Sequence, residues 1–486
     1  MRFTSGKISE SIAKMPMAVV VIPFAIGIFF ANRVLCPFWL LLALGIASLI
    51  GAIALERVWR NLALFTLVFT LGATIQSASH REDIPYNQPL EMALHIERTS
   101  VLRGGYTSTE ARIVECENRG IEGLNVAVWG DSLLRFNAGD RLCLTTPIRP
   151  FRAKRKEYAR LMYHRGVVGT ISLNHRATYT YIPTERRTLH DWAVERLRSA
   201  MEEGDARAVV LAMTTGERGE IDEELRQSYS ASGTSHLLAV SGLHIGIAFM
   251  LINLLLFPLG LLRYGNVLRS LLAIALIWCY VWLCGLSPSA VRAATMFSML
   301  QISLSSLREY SSINILAGTA FAMLLFDSNL LFDISFQLSF IAVAGIILWA
   351  MPLYRLCATR YKVANMLIGI LLVGVASTFA TMPLVAHTFS IVSVVGIVIN
   401  PVVIVLANII VLAGLLALLY PPLAVVAWWG AEVQNRIIGL AESLSLGHFD
   451  TSLSEGWMCA IYLLFGVGTI LFLSLSKERR VAKIEE

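Results

Sequence analysis

Apolar runs close to the length of a bilayer crossing recur from one end of this chain to the other, and they leave few architectures open. Three fall at about 16–32, 38–55 and 60–78, and more follow at 237–262, 268–286, 289–306, 312–326, 333–353, 364–387 and 456–475. A helix needs roughly 20 mainly apolar residues to cross the hydrocarbon core. Composition agrees. Of 486 residues 56% are hydrophobic and only 15% charged, with mean hydropathy +0.64, where soluble chains carry about 25% charged residues. The expected fold is a polytopic α-helical membrane protein, which excludes a purely soluble enzyme.

Basic residues then set the orientation. Arg2, Lys7 and Lys14 precede the first run, and Arg57 and Arg60 separate the second from the third. Arg263 and Arg269, then Arg308, then Arg355, Arg360 and Lys362 fall in alternate loops. By the positive-inside rule both termini are cytoplasmic and residue 80 emerges on the outer side. Residues 391–419 strain this scheme, because a single crossing there leaves the basic tail from Lys477 outside. A re-entrant hairpin, or two half-spans broken at Asn400-Pro401, keeps it inside; such non-helical backbone needs protein or water around it. Residues 422–447, with Trp428, Trp429, Glu432, Gln434 and Arg436, read as an amphipathic helix lying on the outer leaflet. Fifteen Lys/Arg then lie inside, against Arg33 and Arg436 in short outer segments.

Residues 80–230 are too polar to be membranous and form one inserted segment of ordinary domain size. Short alternating runs such as Ala111–Val114 and Leu124–Val128, separated by turn-like stretches, predict a small antiparallel sheet or barrel from about 90 to 182. Charge is polarised within the insertion. From Arg135 to Arg187 there are twelve Lys/Arg against three acids, densest where Arg149, Arg152, Lys154, Arg155, Lys156 and Arg160 surround Tyr158. Cations for a backbone and aromatic faces for bases suit single-stranded nucleic acid; a solvated basic helix face is the plainer alternative. From Thr188 to Ser230 the sign reverses, with ten acids and five arginines. That stretch reads as a helical connector packed on the barrel or the membrane face. Cys116 and Cys143 are the two cysteines of the insertion, and a disulfide between them is open in an oxidising compartment. The organisation is therefore 1–79 N-terminal helices, 80–187 outer β domain, 188–230 connector, 231–476 membrane domain and 477–486 cytoplasmic tail.

The connector enters the membrane through SGTSHLLAVSGLHIGI, Ser232 to Ile247. His236, Ser241 and His244 are polar groups at the mouth of an apolar span, where such groups usually face a bundle interior or wet cavity. Gly242 and Gly246 have the spacing that lets another helix approach closely. Further along, LSPSAVRAATM places Arg292 about a turn inside a span. FDISFQLSFIAVAGI holds Asp333 and Gln337 four residues apart, and HTFSIVSVVGIVINPVVIV holds Asn400. Each has a structural alternative: a snorkelling arginine, a helix-capping aspartate, an interhelical glutamine bond.

These four strings, in this order, resemble the signatures of the ComEC family, inner-membrane channels of bacterial competence that admit single-stranded DNA to the cytoplasm. The resemblance implies an OB-type fold for the outer β domain and a bacterial inner-membrane location. It also implies a DNA path past His236, Ser241, His244, Arg292, Asp333, Gln337 and Asn400. Many ComEC relatives continue into a metallo-β-lactamase-like domain; its His-x-His-x-Asp-His cluster does not occur here, so the form without it is expected. No Walker-type phosphate loop is present, so DNA-receptor and motor proteins are expected to be separate partners. No cofactor, metal or enzymatic activity is expected. Two other classes stay open: a secondary transporter of an anionic solute, built on broken helices at mid-membrane, and an intramembrane serine hydrolase using Ser241 and His244. The large basic insertion argues against the first. Against the second, residues three apart on one helix rarely reach nucleophile–base geometry.

Overall fold

The structure, a computed structural model, describes residues 16–34, 37–79, 84–102, 106–117, 119–131, 136, 139–151, 162, 166–173, 179–183, 188–305, 311–389, 391–393, 395–443, 448–450 and 453–485. They fall into two compact units. One comprises Val20–Arg187 with Phe321–Ile334; the other comprises the N-terminus to Val19, Thr188–Ala320 and Ser335–Glu486.

The first unit holds most of α1 (Pro16–Arg33), then α2 (Phe38–Ala54) and α3 (Arg57–Ser79), followed by a six-stranded sheet. Helices α1 and α3 touch through backbone: a side chain at Gly27 would strike the Phe69 carbonyl, and one at Gly72 the Phe24 carbonyl. The strands are β1 (Pro89–Leu102), β2 (Tyr106–Cys116), β3 (Asn125–Asp131), β4 (Arg141–Pro147), β5 (Val167–Ser172) and β6 (Tyr179–Ile182), ordered β5-β3-β2-β1-β4-β6. Leu94, Ile96, Ile113, Val126, Leu142 and Ile171 alternate along them to fill its core. The sheet is mixed rather than wholly antiparallel, because β5 joins β3 in parallel.

Cys116 and Cys143 do not pair. They sit on β2 and β4, each hydrogen-bonded to the intervening β1, and both are free thiols. Two strand spacings amount to about 9.5 Å, beyond the roughly 7 Å limit between Cα atoms of a bridge.

The second unit opens on the connector. Thr188 starts α4 (Leu189–Arg198) with a capping box: its hydroxyl accepts the Asp191 N–H at 3.1 Å and its own N–H reaches the Asp191 carboxylate at 2.8 Å. The turn before α6 (Glu223–Ala231) is more than solvated acid. Glu220 accepts from both Arg198 and Arg207 at 2.8 Å, and Asp222 caps α6 through the Leu225 N–H at 2.7 Å. Between them α5 (Asp205–Thr214) is buried at every position from Ala206 onward except Arg207. Its alanines and valines, with Leu211 and Met213, are buried on every side, so helices pack on it all round.

The remaining helices are α7 (Gly242–Leu255), α8 (Gly265–Leu283), α9 (Pro288–Ser305), α10 (Ser312–Phe326) and α11 (Ile334–Cys357), the last with a π-helical turn at Ile346–Ala350. Then come α12 (Lys362–Phe389), α13 (Val395–Leu419), α14 (Ala424–Ser443) and α15 (Glu455–Glu485). Among the described residues seven helices are long and apolar enough to cross a membrane: α1, α3, α8, α11, α12, α13 and α15, with α2, α7 and α10 shorter but apolar.

Three expectations change here. The span starting at 237 begins instead at Gly242, because Leu237 and Leu238 are drawn into a buried 3-10 turn. Helix α13 runs unbroken through Asn400-Pro401, so there is no unwound half-span; proline is tolerated when neighbouring helices cover the freed carbonyl. Helix α14 is not a surface helix. Ala424, Ala427, Ala431, Gln434 and Ile438 form a small-residue face buried against α5 and α13. Strands β7 (Ile391–Ser393) and β8 (His448–Asp450) pair antiparallel, joining the chain before α13 to the chain after α14.

Several polar contacts tie the connector to the bundle, and one of them is ionisable. His190 on α4 bonds the Leu283 carbonyl at the end of α8 through Nδ1 at 2.8 Å and Glu217 through Nε2 at 3.5 Å. The hydrogen bond to Glu217 raises the His190 pKa above its ordinary 6.5, and the same bond lowers that of Glu217 below 4.5.

Two outcomes follow from this architecture. Maleimide labelling after unfolding without reductant is expected to find both Cys116 and Cys143 free; a reductant-dependent mobility shift contradicts the strand order. For the His190–Glu217 pair, the histidine's contribution is complete below its unfolded pKa and the glutamate's complete above its own. Stabilisation on the order of 1 kcal/mol is thus greatest between pH 4.5 and 6.5 and fades as pH rises through the elevated His190 pKa or falls through the depressed Glu217 pKa. The Tm gap between wild type and His190→Gln should trace that window.

Candidate functional site

Helices α7 and α9 run side by side in the same direction. Ser289 donates to the Val240 carbonyl at 2.5 Å just before α7, Gly242 faces Ala293, Gly246 faces Phe297, and the Phe249 and Phe297 rings stack with centroids 4.8 Å apart. The glycine pair therefore meets α9 as its spacing suggests, but through side chains. A Cβ at Gly242 would lie 3.7 Å from that of Ala293, an ordinary contact, whereas one at Gly246 would come within 3.2 Å of the Phe297 ring.

Ser241 is the N-cap residue of α7, and its backbone N–H donates to His244 Nδ1 at 3.2 Å. His244 is fully buried; its Nε2 and the Ser241 hydroxyl have no hydrogen-bond partner among the described residues. The imidazole nitrogen nearest the serine is thus occupied by backbone rather than by the hydroxyl, which is not how a serine nucleophile is activated. His236 lies in the preceding turn and is exposed.

Arg292 sits in the second turn of α9 and is only 3% exposed. Its Nε donates to the Ser339 hydroxyl at 3.2 Å and its Nη2 to the Ser335 hydroxyl at 2.8 Å, both on α11. Both hydroxyls accept from the guanidinium, and the two bonds tie α9 to α11. Ser335 and Ser339 had a signal in the sequence, an i, i+4 pair interleaved with Asp333 and Gln337, yet apolar neighbours made them look like packing residues. Gln337 is two residues from each serine, about 200° round the helix, and so occupies the opposite face of α11. It is half-buried and engaged with its own neighbours. Asp333 precedes α11, is buried at 8% exposure and is likewise engaged.

Asn400 is half-buried on α13, and its buried amide oxygen finds no donor among the described residues. Asn408, which sequence reasoning passed over, is in the same state eight residues on, about 12 Å along the helix.

Arg149 is exposed beside the sheet, its backbone exchanging two hydrogen bonds with Thr170 at 2.8 and 2.9 Å. The other expected nucleic-acid contacts, Arg152, Lys154, Arg155, Lys156, Tyr158 and Arg160, lie outside the described residues. No three His, Cys, Asp or Glu side chains among the described residues are grouped to hold a metal ion.

A bundle of apolar helices enclosing a hydroxyl-solvated arginine, joined to a separate sheet domain, defines a multi-pass membrane protein with a polar seam. The family model "Competence protein" matches residues 213–477, more than half of the chain, and the chain belongs to this family, ComEC/Rec2. It is 28% identical over 259 residues to an uncharacterized protein of Aquifex aeolicus, covering 52% of this chain and 59% of that one. It is 32% identical over 194 residues to ComE operon protein 3 of Bacillus subtilis, covering 39% and 24%. To Recombination protein 2 of Haemophilus influenzae it is 28% identical over 162 residues, covering 32% and 20%. The chain thus spans under two thirds of each of these relatives. No solved structure matches it.

The contact geometry separates the two glycines. Gly242→Ala is expected to leave the yield of monodisperse protein near wild type, while Gly246→Leu forces the Phe297 ring aside at a cost of about 1–3 kcal/mol and lowers it. Equal yields from both variants contradict the α7–α9 packing.

Proposed function

We propose that this chain conducts single-stranded DNA across the bacterial inner membrane during natural transformation. Membership of the competence family supports a role in DNA uptake. The single observation that carries the finer reading is the burial of Arg292, 3% exposed among apolar helices and within reach of two hydroxyls; a charged side chain at such depth usually marks a pathway, and a phosphodiester backbone is an anion that suits it. In this reading His236, Ser241, His244 and Asn400 line the approach, with Asp333 beside it, while Gln337, on the other face of α11, falls outside the path. The outer sheet domain, read as OB-type, presents Arg149 and the basic segment 152–160 to the strand. The charge asymmetry of the loops supports a cytoplasmic N-terminus and an outer sheet domain; with α13 unbroken, the tail stays cytoplasmic when α14, packed along α13, returns the chain as a second crossing. Receptor and motor proteins are separate partners. A transporter built on half-helices loses support, since α13 is continuous through Pro401.

The test is transfer of labelled DNA into the cytoplasm of a competent bacterium whose own homologue is deleted. Wild-type chain should restore entry, and Arg292→Gln should reduce it at least tenfold at equal membrane abundance. Entry restored equally by Arg292→Gln removes the arginine from the path, and failure of the wild-type chain to restore any entry defeats the DNA reading.

A further inference from the structure

Helix α7 is 14 residues long, about 21 Å, and falls short of a hydrocarbon core of about 30 Å. The turn that joins it to α8 does not suit water. Leu254, Leu255, Phe257, Leu261, Leu262 and Tyr264 are all exposed, Leu261 at 86%. A surface patch of this kind marks contact with another apolar phase, and at the end of a short apolar helix that phase is the acyl region just below the headgroups.

The turn is firmly built. Its 3-10 segment, Phe257–Leu261, is closed by backbone bonds from Leu259 to Leu256 and from Leu262 to Leu259, both at 3.1 Å, and from Gly265 to Leu262 at 2.9 Å. Gly265 lies so close to the Leu259 carbonyl that no side chain fits there. The leucines are thus held outward in one arrangement.

Two arginines share this elbow. Arg263 is exposed, its guanidinium 5.5 Å from the Tyr264 ring centroid. Arg269 is half-buried, 5.8 Å from the Phe257 centroid, and its Nη2 donates to the Asn253 carbonyl at 3.1 Å. No carboxylate answers them. The sequence has no Asp or Glu between Glu224 and Glu309, and neither arginine enters an ion pair among the described residues. Arg436, by contrast, is paired with Glu432 at 3.0 Å. Arginines whose stems lie along an apolar surface present their charge at headgroup level, and a guanidinium suits phosphate. One molecule offers both a phosphate for the arginines and acyl chains for the leucines beside them.

We propose that the α7–α8 elbow docks an anionic phospholipid, with its phosphodiester on Arg263 and Arg269 and its acyl chains along Leu255, Leu261 and Leu262. A zwitterionic lipid carries its own cation, which competes with the arginines for the phosphate, so the elbow prefers a headgroup of net negative charge. This holds whether or not the chain conducts DNA.

The experiment places the full chain in nanodiscs of phosphatidylcholine, with or without phosphatidylglycerol, and measures Tm and the lipids retained in native mass spectra. Phosphatidylglycerol should raise the Tm of wild type and be retained in preference to phosphatidylcholine. That preference should fall about fivefold for each arginine removed, in Arg263→Gln and then in Arg263→Gln/Arg269→Gln. Arg436→Gln should behave as wild type. Equal retention by wild type and the double variant overturns the proposal. So does an equal loss in Arg436→Gln, which reduces the effect to overall charge. Soluble glycerol phosphate should leave Tm unchanged; a gain matching that from the lipid removes the leucines from the site and refutes a lipid dock. Should loss of the Asn253 bond lower the Tm of the double variant in phosphatidylcholine, Arg263→Gln carries the comparison alone, because the Arg263 side chain makes no hydrogen bond among the described residues.

Discussion

A polar group taken out of water needs a partner, and that constraint governs how the largest buried polar side chains of this bundle are held. Arg292 is admitted because two serine hydroxyls reach it from the next helix. Tyr229, fully buried, is admitted because Asn435 accepts its hydroxyl hydrogen at 2.7 Å and Gln434 donates to its oxygen at 2.9 Å. Tyr280 reaches the Thr214 carbonyl at 3.1 Å at the end of α5. In each case a residue from a different part of the chain supplies the missing half, so burial and long-range order are the same event. The connector takes part fully: α5 has as little exposed surface as any helix that follows it, and the bundle begins at Thr188 rather than at the first long apolar run.

How much of this was legible depended on whether the signal was local. The apolar runs were, because a crossing length is a property of one segment. The alternating strands of the sheet were legible for the same reason, as at Leu94 and Ile96. Strand order was not: β5 beside β3 depends on a crossover that no short pattern announces, and with it went the pairing of Cys116 and Cys143. Helix α14 misled because Glu432 and Arg436, bonded to each other at 3.0 Å on the exposed face, make the segment look interfacial. Its alanine face, the informative one, is chemically quiet. Asn400-Pro401 misled in the opposite direction: a strong local breaker was overruled by neighbours that cover the helix.

The site divides along the same line. Ser241, His244 and Arg292 stand out as polar residues in apolar context, and the structure places them within the first two turns of two parallel helices. Ser335 and Ser339 do not stand out, since serine is common in membrane helices. They became meaningful only through Arg292 opposite them. Gln337 had the right spacing from Asp333 but faces away from the arginine's hydroxyls, because a four-residue period relates positions on one helix and says nothing about which helix they face.

The hairpin of α13 and α14 is fastened at both ends, by the Tyr420-Pro421-Pro422-Leu423 turn at one and by the β7–β8 ladder at the other. Two rods tied at both tips cannot splay or slide past each other; they can only tilt together. With α5 clamped against them, they form the stator of the bundle. Relative movement within the bundle then falls to helices held by side chains, as α11, α12 and α15 are by the stacked and edge-on rings of Trp349, Phe379 and Phe465.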